Sequence, residues 1–69
     1  MRISARNVLQ GKVLKVDHGS VNTEVTLQLP GGLEIVSVVT KQAAETLQLS
    51  PGKNAYAIIK ATSIMVGVD

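Results

Sequence analysis

From Val21 onward apolar or β-branched residues take every second position: Val21, Thr23, Val25, Leu27 and Leu29, with Asn22, Glu24, Thr26 and Gln28 between them. A period of two sends successive side chains to opposite faces of a strand, so this stretch predicts one that is buried on one side. Pro30-Gly31-Gly32 supplies turn chemistry, and Leu33 to Val39 resumes as a second extended run, which makes the pair a hairpin. Upstream, Asn7 to Val16 is rich in Val and Leu and predicts the first strand, with His18-Gly19-Ser20 as its turn. Residues 7–39 are thus expected as a three-stranded meander.

Lys41 to Leu49 breaks the alternation. Ala43, Ala44 and Leu47 stand at helical spacing among good helix formers, Thr40 is placed to cap the N-terminus, and Ser50-Pro51-Gly52 stops the helix. Two further runs, Ala55 to Ala61 and Ser63 to Val68, are rich in Ile, Val and Ala and predict strands. Three strands, one short helix and two strands is the order of a five-stranded OB-like barrel, so the expectation is an all-β fold in one domain over residues 1–69. Several of these strands are apolar on both faces: Leu33, Ile35 and Val39 lie opposite Val36 and Val38, Ala57 and Ile59 opposite Ile58, and Ile64 and Val66 opposite Met65. A small barrel alone in water needs only one apolar face, so a neighbouring subunit is expected to cover the second.

Size points the same way. A 69-residue domain removes only roughly 60% of its unfolded surface from water and needs outside support. Cysteine is absent and His18 is the single histidine, which leaves neither a disulfide nor a His/Cys metal cluster to supply it; self-association remains. No protein side chains are expected as direct metal ligands. The net charge of +2 is mild and its basic residues are scattered, which argues against a broad polyanion surface. Neither an export signal nor a bilayer-length apolar run is present, so the protein is expected to be cytoplasmic, with no membrane partner.

Polar residues that interrupt the apolar pattern carry the chemical information. Ser37 shares a strand face with Ile35 and Val39, Thr40 opens the helix, Lys60 closes the run Ala57-Ile58-Ile59, and Ser4-Ala5-Arg6 stands just before the first strand. Each has an ordinary structural explanation: a strand serine bonds its neighbours' backbone, a threonine caps, a terminal lysine reaches water. Together they are two cations, hydroxyls and free backbone N–H groups with no carboxylate close in sequence. Only donors are present, which suits a tetrahedral dianion that offers only acceptors. Phosphate near neutral pH keeps a proton that such a pocket leaves unpaired, at a cost of about 1–3 kcal/mol, whereas sulfate, molybdate and tungstate carry none. The residues alone do not choose among those three.

Ser4-Ala5-Arg6-Asn7, then Gly11-Lys12-Val13, Val21 to Val25, Ser37 to Thr40 and Ile59-Lys60-Ala61-Thr62 strongly resemble the molbindins, or Mop domains, over almost the whole chain. The resemblance implies an OB-like barrel, a cytoplasmic homohexamer built as a trimer of dimers, and binding of molybdate, with tungstate also accepted, for molybdenum storage or homeostasis. It further implies an oxyanion site between subunits, carried onto Ser4, the Ala5 backbone, Arg6, Ser37, Thr40, Lys60 and the Ala61 backbone. A second site near a threefold axis corresponds to Gly19, Ser20 and Val21, with His18 beside it read as solvent-exposed rather than as a pH-sensitive donor. Related domains occur fused to DNA-binding regulators and transporter ATPases, and this chain resembles the free-standing form.

Two other classes compete. OB barrels also bind single-stranded nucleic acid, but they do so by stacking bases on aromatic side chains, and Tyr56 is the only aromatic residue here. A structural adaptor oligomer whose interface polar groups merely satisfy one another is the other rival. An enzyme is not expected, because no nucleophile and base pair is recognisable and the acidic residues are scattered.

Overall fold

Why β2 forms where it does follows directly from its alternation. In the computed structural model, which describes residues 1–69, β2 spans Asn22–Gln28 and buries Thr23, Val25 and Leu27 while its alternate positions face outward. It pairs antiparallel with β3, Glu34–Thr40, in the register Thr23 with Val39, Val25 with Ser37 and Leu27 with Ile35, so Ile35, Ser37 and Val39 face inward. The hairpin between them turns through Gly31 and Gly32, both at φ near +90°, a region that only glycine adopts without strain.

β1, Asn7–His18, is the central strand, hydrogen-bonded to β2 on one edge and to β4, Asn54–Ile59, on the other; the sheet order is β3-β2-β1-β4. The pairing of β1 with β2 slips between Val13 and Lys15, leaving Leu14 as a bulge. Because a strand's side chains alternate with period two, one extra residue exchanges the faces. Val13 is fully buried before the bulge, Val16 is half-buried after it, and β1 therefore has no single alternation to read in its sequence. A second close fit lies at Gly11, where an added Cβ would stand 2.8 Å from the backbone oxygen of Gln28.

The helix α1 covers only Lys41–Thr46, three residues shorter than expected. Its stop is a Schellman turn: the Leu49 N–H donates to Ala44 O and the Gln48 N–H to Glu45 O, each at 3.0 Å, with Gln48 at φ 53°. Lys53 Nζ donates to the freed Leu47 carbonyl at 2.6 Å. The Ser50-Pro51-Gly52 turn then returns the chain to the sheet, where Gly52 N–H donates to Val13 O and Val13 N–H to Lys53 O.

The fifth strand expected over Ser63 to Val68 is not formed. β4 ends at Ile59, Ala61–Ser63 is a single 3-10 turn, and the chain leaves the sheet with Met65, Val66 and Val68 more than 90% exposed. A strand exists only when a neighbour takes its backbone hydrogen bonds, and this segment has none within its own chain. The curled sheet consequently stays open between β3 and β4. A groove of about 390 Å³ runs there, lined by Ile35 to Ser37 of β3 and Tyr56 to Ile59 of β4.

Only six residues are buried, with Val13, Val25, Leu27 and Ala57 as the core, against sixteen exposed large hydrophobic side chains. Val36 and Val38 are about 60% exposed, so the second apolar face read from the sequence is present and uncovered. No helix is long and apolar enough to cross a membrane. Gly11→Ala is expected to destabilise the fold by about 1–3 kcal/mol, because the new methyl meets backbone. Gly67→Ala meets nothing within 4 Å and should leave the urea midpoint unchanged; equal effects of the two on chemical denaturation would refute this reading.

Candidate functional site

Antiparallel pairing of β1 with β4 brings Asn7 opposite Ile59, so the segment entering β1 and the segment leaving β4 meet at one end of the sheet. Asn7 Nδ2 donates to Ile59 O at 3.4 Å across this junction. Ser4, Ala5 and Arg6 from the entering side and Lys60, Ala61 and Thr62 from the leaving side then line one open concavity of about 700 Å³, walled by Ile3 and Ile58. The 3-10 turn shapes its lower rim, with Ser63 N–H donating to Lys60 O at 2.9 Å.

Its polar groups are a guanidinium, an ammonium, two hydroxyls and backbone; no carboxylate lines it. The one salt bridge of the chain joins Lys15 and Asp17, on an exposed part of the sheet, so neither Arg6 nor Lys60 is ion-paired within the chain. None of the side-chain hydrogen bonds uses Ser4, Arg6, Lys60 or Thr62. Two like charges facing one hollow repel each other when it holds no anion, and each retains unspent donor capacity. Chemically, the arrangement is able to bind negative charge and to direct several donors at it. It offers no nucleophile with a base, and no group of three or more acidic or histidine side chains gathers anywhere in the chain.

The other residues expected at the site stand apart. Ser37 is half-buried on β3 opposite Val25 and lines the open groove between β3 and β4 rather than the concavity. Ile58 borders both, so the two hollows adjoin. Thr40 is further away, against α1, where its Oγ1 accepts from the Ala43 N–H at 3.0 Å. Capping uses a lone pair and leaves the hydroxyl proton free to donate. Gly19, Ser20 and Val21 lie at the opposite end of β1, exposed and lining none of the surface hollows. The Gly19 N–H donates to Asn22 O, and Val21 O accepts from the Lys41 N–H. His18, expected to face solvent freely, is exposed but engaged: its Nδ1 lies 3.0 Å from Oγ1 of the fully buried Thr23.

Thr62 is the lining hydroxyl that the sequence reading left out of the site. Its signal was available, because it directly follows Lys60-Ala61 in the stretch on which the family resemblance rests. Ile3 and Ile58 carried no signal beyond hydrophobicity.

A short curled antiparallel sheet with one helix between β3 and β4 and a ligand-sized, donor-lined hollow is the architecture of an OB-like binding module. The chain belongs to the TOBE domain family, which matches residues 3–66, and within it to the molbindin or Mop proteins. It is 54% identical over its full length to the probable molybdenum-pterin-binding protein of Haemophilus influenzae, which it also covers completely. Molybdenum-pterin-binding protein 3 of Clostridium pasteurianum is 41% identical, over 96% of this chain and 97% of that protein. Among solved structures, MopII of Clostridium pasteurianum superposes with a TM-score of 0.93 at 37% identity, over 97% of this chain and all of that one. The molybdate-bound form of the cytoplasmic molybdate-binding protein ModG gives 0.97 at 52% identity over the whole chain, which spans 49% of ModG. The chain spans 25% of a 41% identical relative, the molybdenum transport protein ModE of Azotobacter vinelandii.

Thr40→Ala is expected to cost about 1 kcal/mol of stability through the lost cap, and Thr40→Ser to restore most of it. Thermal melting of the two variants distinguishes this from a purely hydrophobic role, in which serine would not rescue.

Proposed function

We propose that this protein binds molybdate, and tungstate as well, at sites formed where copies of the chain meet in a homo-oligomer, and that it serves intracellular molybdenum storage or homeostasis. The observation that carries the reading is the concavity lined by Ser4, Ala5, Arg6, Lys60, Ala61 and Thr62, which holds two cations without an ion-pair partner and no carboxylate. A tetrahedral dianion without a proton satisfies such donors completely, and charge-assisted hydrogen bonds to it are about twice as strong as neutral ones. Molybdate is favoured among such anions by the relatives: ModG was solved with molybdate bound, and several others are named for binding molybdenum.

Assembly is supported by what one copy leaves open. The groove between β3 and β4 has an unpaired backbone edge on each side, and residues 64–68 are an unpaired apolar segment of matching character. A neighbour's C-terminal segment laid in that groove supplies the fifth strand of the barrel, and each Val, Ile or Met side chain it takes out of water contributes about 1.5–3 kcal/mol. Ser37 lines the groove, so assembly is also the route by which Ser37 reaches an anion. The resemblance to molbindins favours a hexamer arranged as a trimer of dimers, with cytoplasmic residence, and a second site at Gly19, Ser20 and Val21 made by copies meeting at the far end of β1. Thr40 joins a site only through such contacts, by its free hydroxyl proton.

A single-stranded nucleic-acid platform fits less well, since Tyr56 is the one aromatic and lies outside the donor concavity. An adaptor oligomer with no ligand is separated by experiment. Native mass spectrometry with and without molybdate is expected to show an oligomer that gains the mass of bound oxyanions. Lys60→Ala should keep the oligomer and the melting temperature of the ligand-free protein while weakening molybdate binding roughly 10- to 150-fold, the loss of about 1.5–3 kcal/mol for a charged hydrogen bond. A monomer, or an oligomer that takes up no oxyanion, sinks the proposal.

A further inference from the structure

Lys60, Ala61 and Thr62 line the donor concavity, and the same three residues lead into the chain's departure from the sheet. Resting on the binding function proposed above, we infer that the oxyanion acts as a latch on the C-terminal segment, so that occupancy of the concavity slows the exchange of subunits between assemblies.

The argument starts from how little holds this junction in one chain. After β4 ends at Ile59, the backbone is fixed only by the Ser63 N–H to Lys60 O and Ile64 N–H to Ala61 O bonds, at 2.9 and 3.3 Å. No side chain of residues 60–69 makes a hydrogen bond or ion pair, and all ten residues are exposed. The direction in which residues 64–69 leave the sheet is thus set by a single tight turn. Whichever sheet edge the segment pairs with, it must pivot about residues 60–63 to get there.

An anion held jointly by Arg6 on the entering segment and by Lys60 and Thr62 on the turn ties that pivot to the start of β1, which is paired with β4 from Asn7 to Lys12. It replaces the repulsion between Arg6 and Lys60 by attraction of both to one charge. The pivot is therefore stiffer with anion than without it, and release of the segment requires breaking contacts that the empty site does not have. By linkage, an anion that favours the latched state is itself bound more tightly by that state, and couplings of this kind typically amount to about 5–150-fold.

Unlabelled protein and nitrogen-15-labelled protein, each at full length, are mixed with excess molybdate or with none, and mixed-mass assemblies are followed by native mass spectrometry. Exchange is expected to slow on the order of tenfold or more when molybdate is present. Hydrogen–deuterium exchange on the same samples is expected to show new protection at the amides of residues 60–68. Bound molybdate with an unchanged or faster exchange rate, or with no new protection at those amides, overturns the latch but not the binding function. Spectra in which no oxyanion is bound, or in which only monomer is seen, overturn both.

Discussion

Backbone N–H and C=O groups must be met by partners wherever water is excluded, and in this protein β3 and β4 each have an edge that nothing in the chain meets. The remaining features follow from that shortage. With the fifth strand absent from its own sheet, the inner faces of β3 and β4 stay partly exposed, the buried core shrinks to a few residues around Val13 and Val25, and the C-terminal valines stand in water. Exposed apolar surface beside unpaired strand edges marks an interaction surface or an aggregation hazard, since such edges recruit other strands indiscriminately. In the proposed assembly an identical copy covers these edges.

Placing the donor cluster at the same end of the sheet has its own physical logic. Arg6 and Lys60 belong to the two segments that flank a β1–β4 pair, where the ladder frays and neither side chain competes for core space. A pair of unpaired cations would be costly inside the barrel, where desolvation is not offset until a ligand arrives. At an exposed rim that cost is small in the free protein, and it falls further once an anion enters. In the proposed oligomer, covering the rim with a neighbouring subunit strengthens the charge–dipole interactions inside it by excluding water. Affinity for the anion and affinity between subunits are, in that geometry, two readings of one equilibrium.

How much of this was legible in the sequence depended on which residues are governed by local rules. The β2–β3 hairpin was readable, because both strands bury one face and Gly31 and Gly32 take backbone angles that demand glycine. So was the start of α1, where Thr40 performs the capping its position suggests. Its end was not: glutamine rather than glycine occupies the left-handed position of the Schellman turn, and nothing local announces it. The bulge at Leu14 was hidden for a related reason, since the inward residues before and after it follow different parities and look patternless when read straight through. The fifth strand failed differently. Its composition suits a strand, but a strand is a property of two partners, and no segment of this chain pairs with it.

The site divides along the same line. Ser4, Ala5, Arg6, Lys60 and Ala61 are brought to one hollow of a single copy by the β1–β4 ladder. Ser37 and Thr40, named from the resemblance and from the same donor logic, stay on other parts of the surface. Ser37 lines the groove that adjoins the concavity through Ile58, and in one copy it is not part of the concavity's lining. Thr40 lines a separate hollow against α1 that shares no residue with the concavity, and one of its acceptor lone pairs is taken by the Ala43 N–H. Its hydroxyl proton stays free, which is the only kind of contact an acceptor-only anion can use. In the proposed site the two cations and the absence of a carboxylate favour an anion that is fully deprotonated, since hydroxyl oxygens are the only side-chain acceptors there.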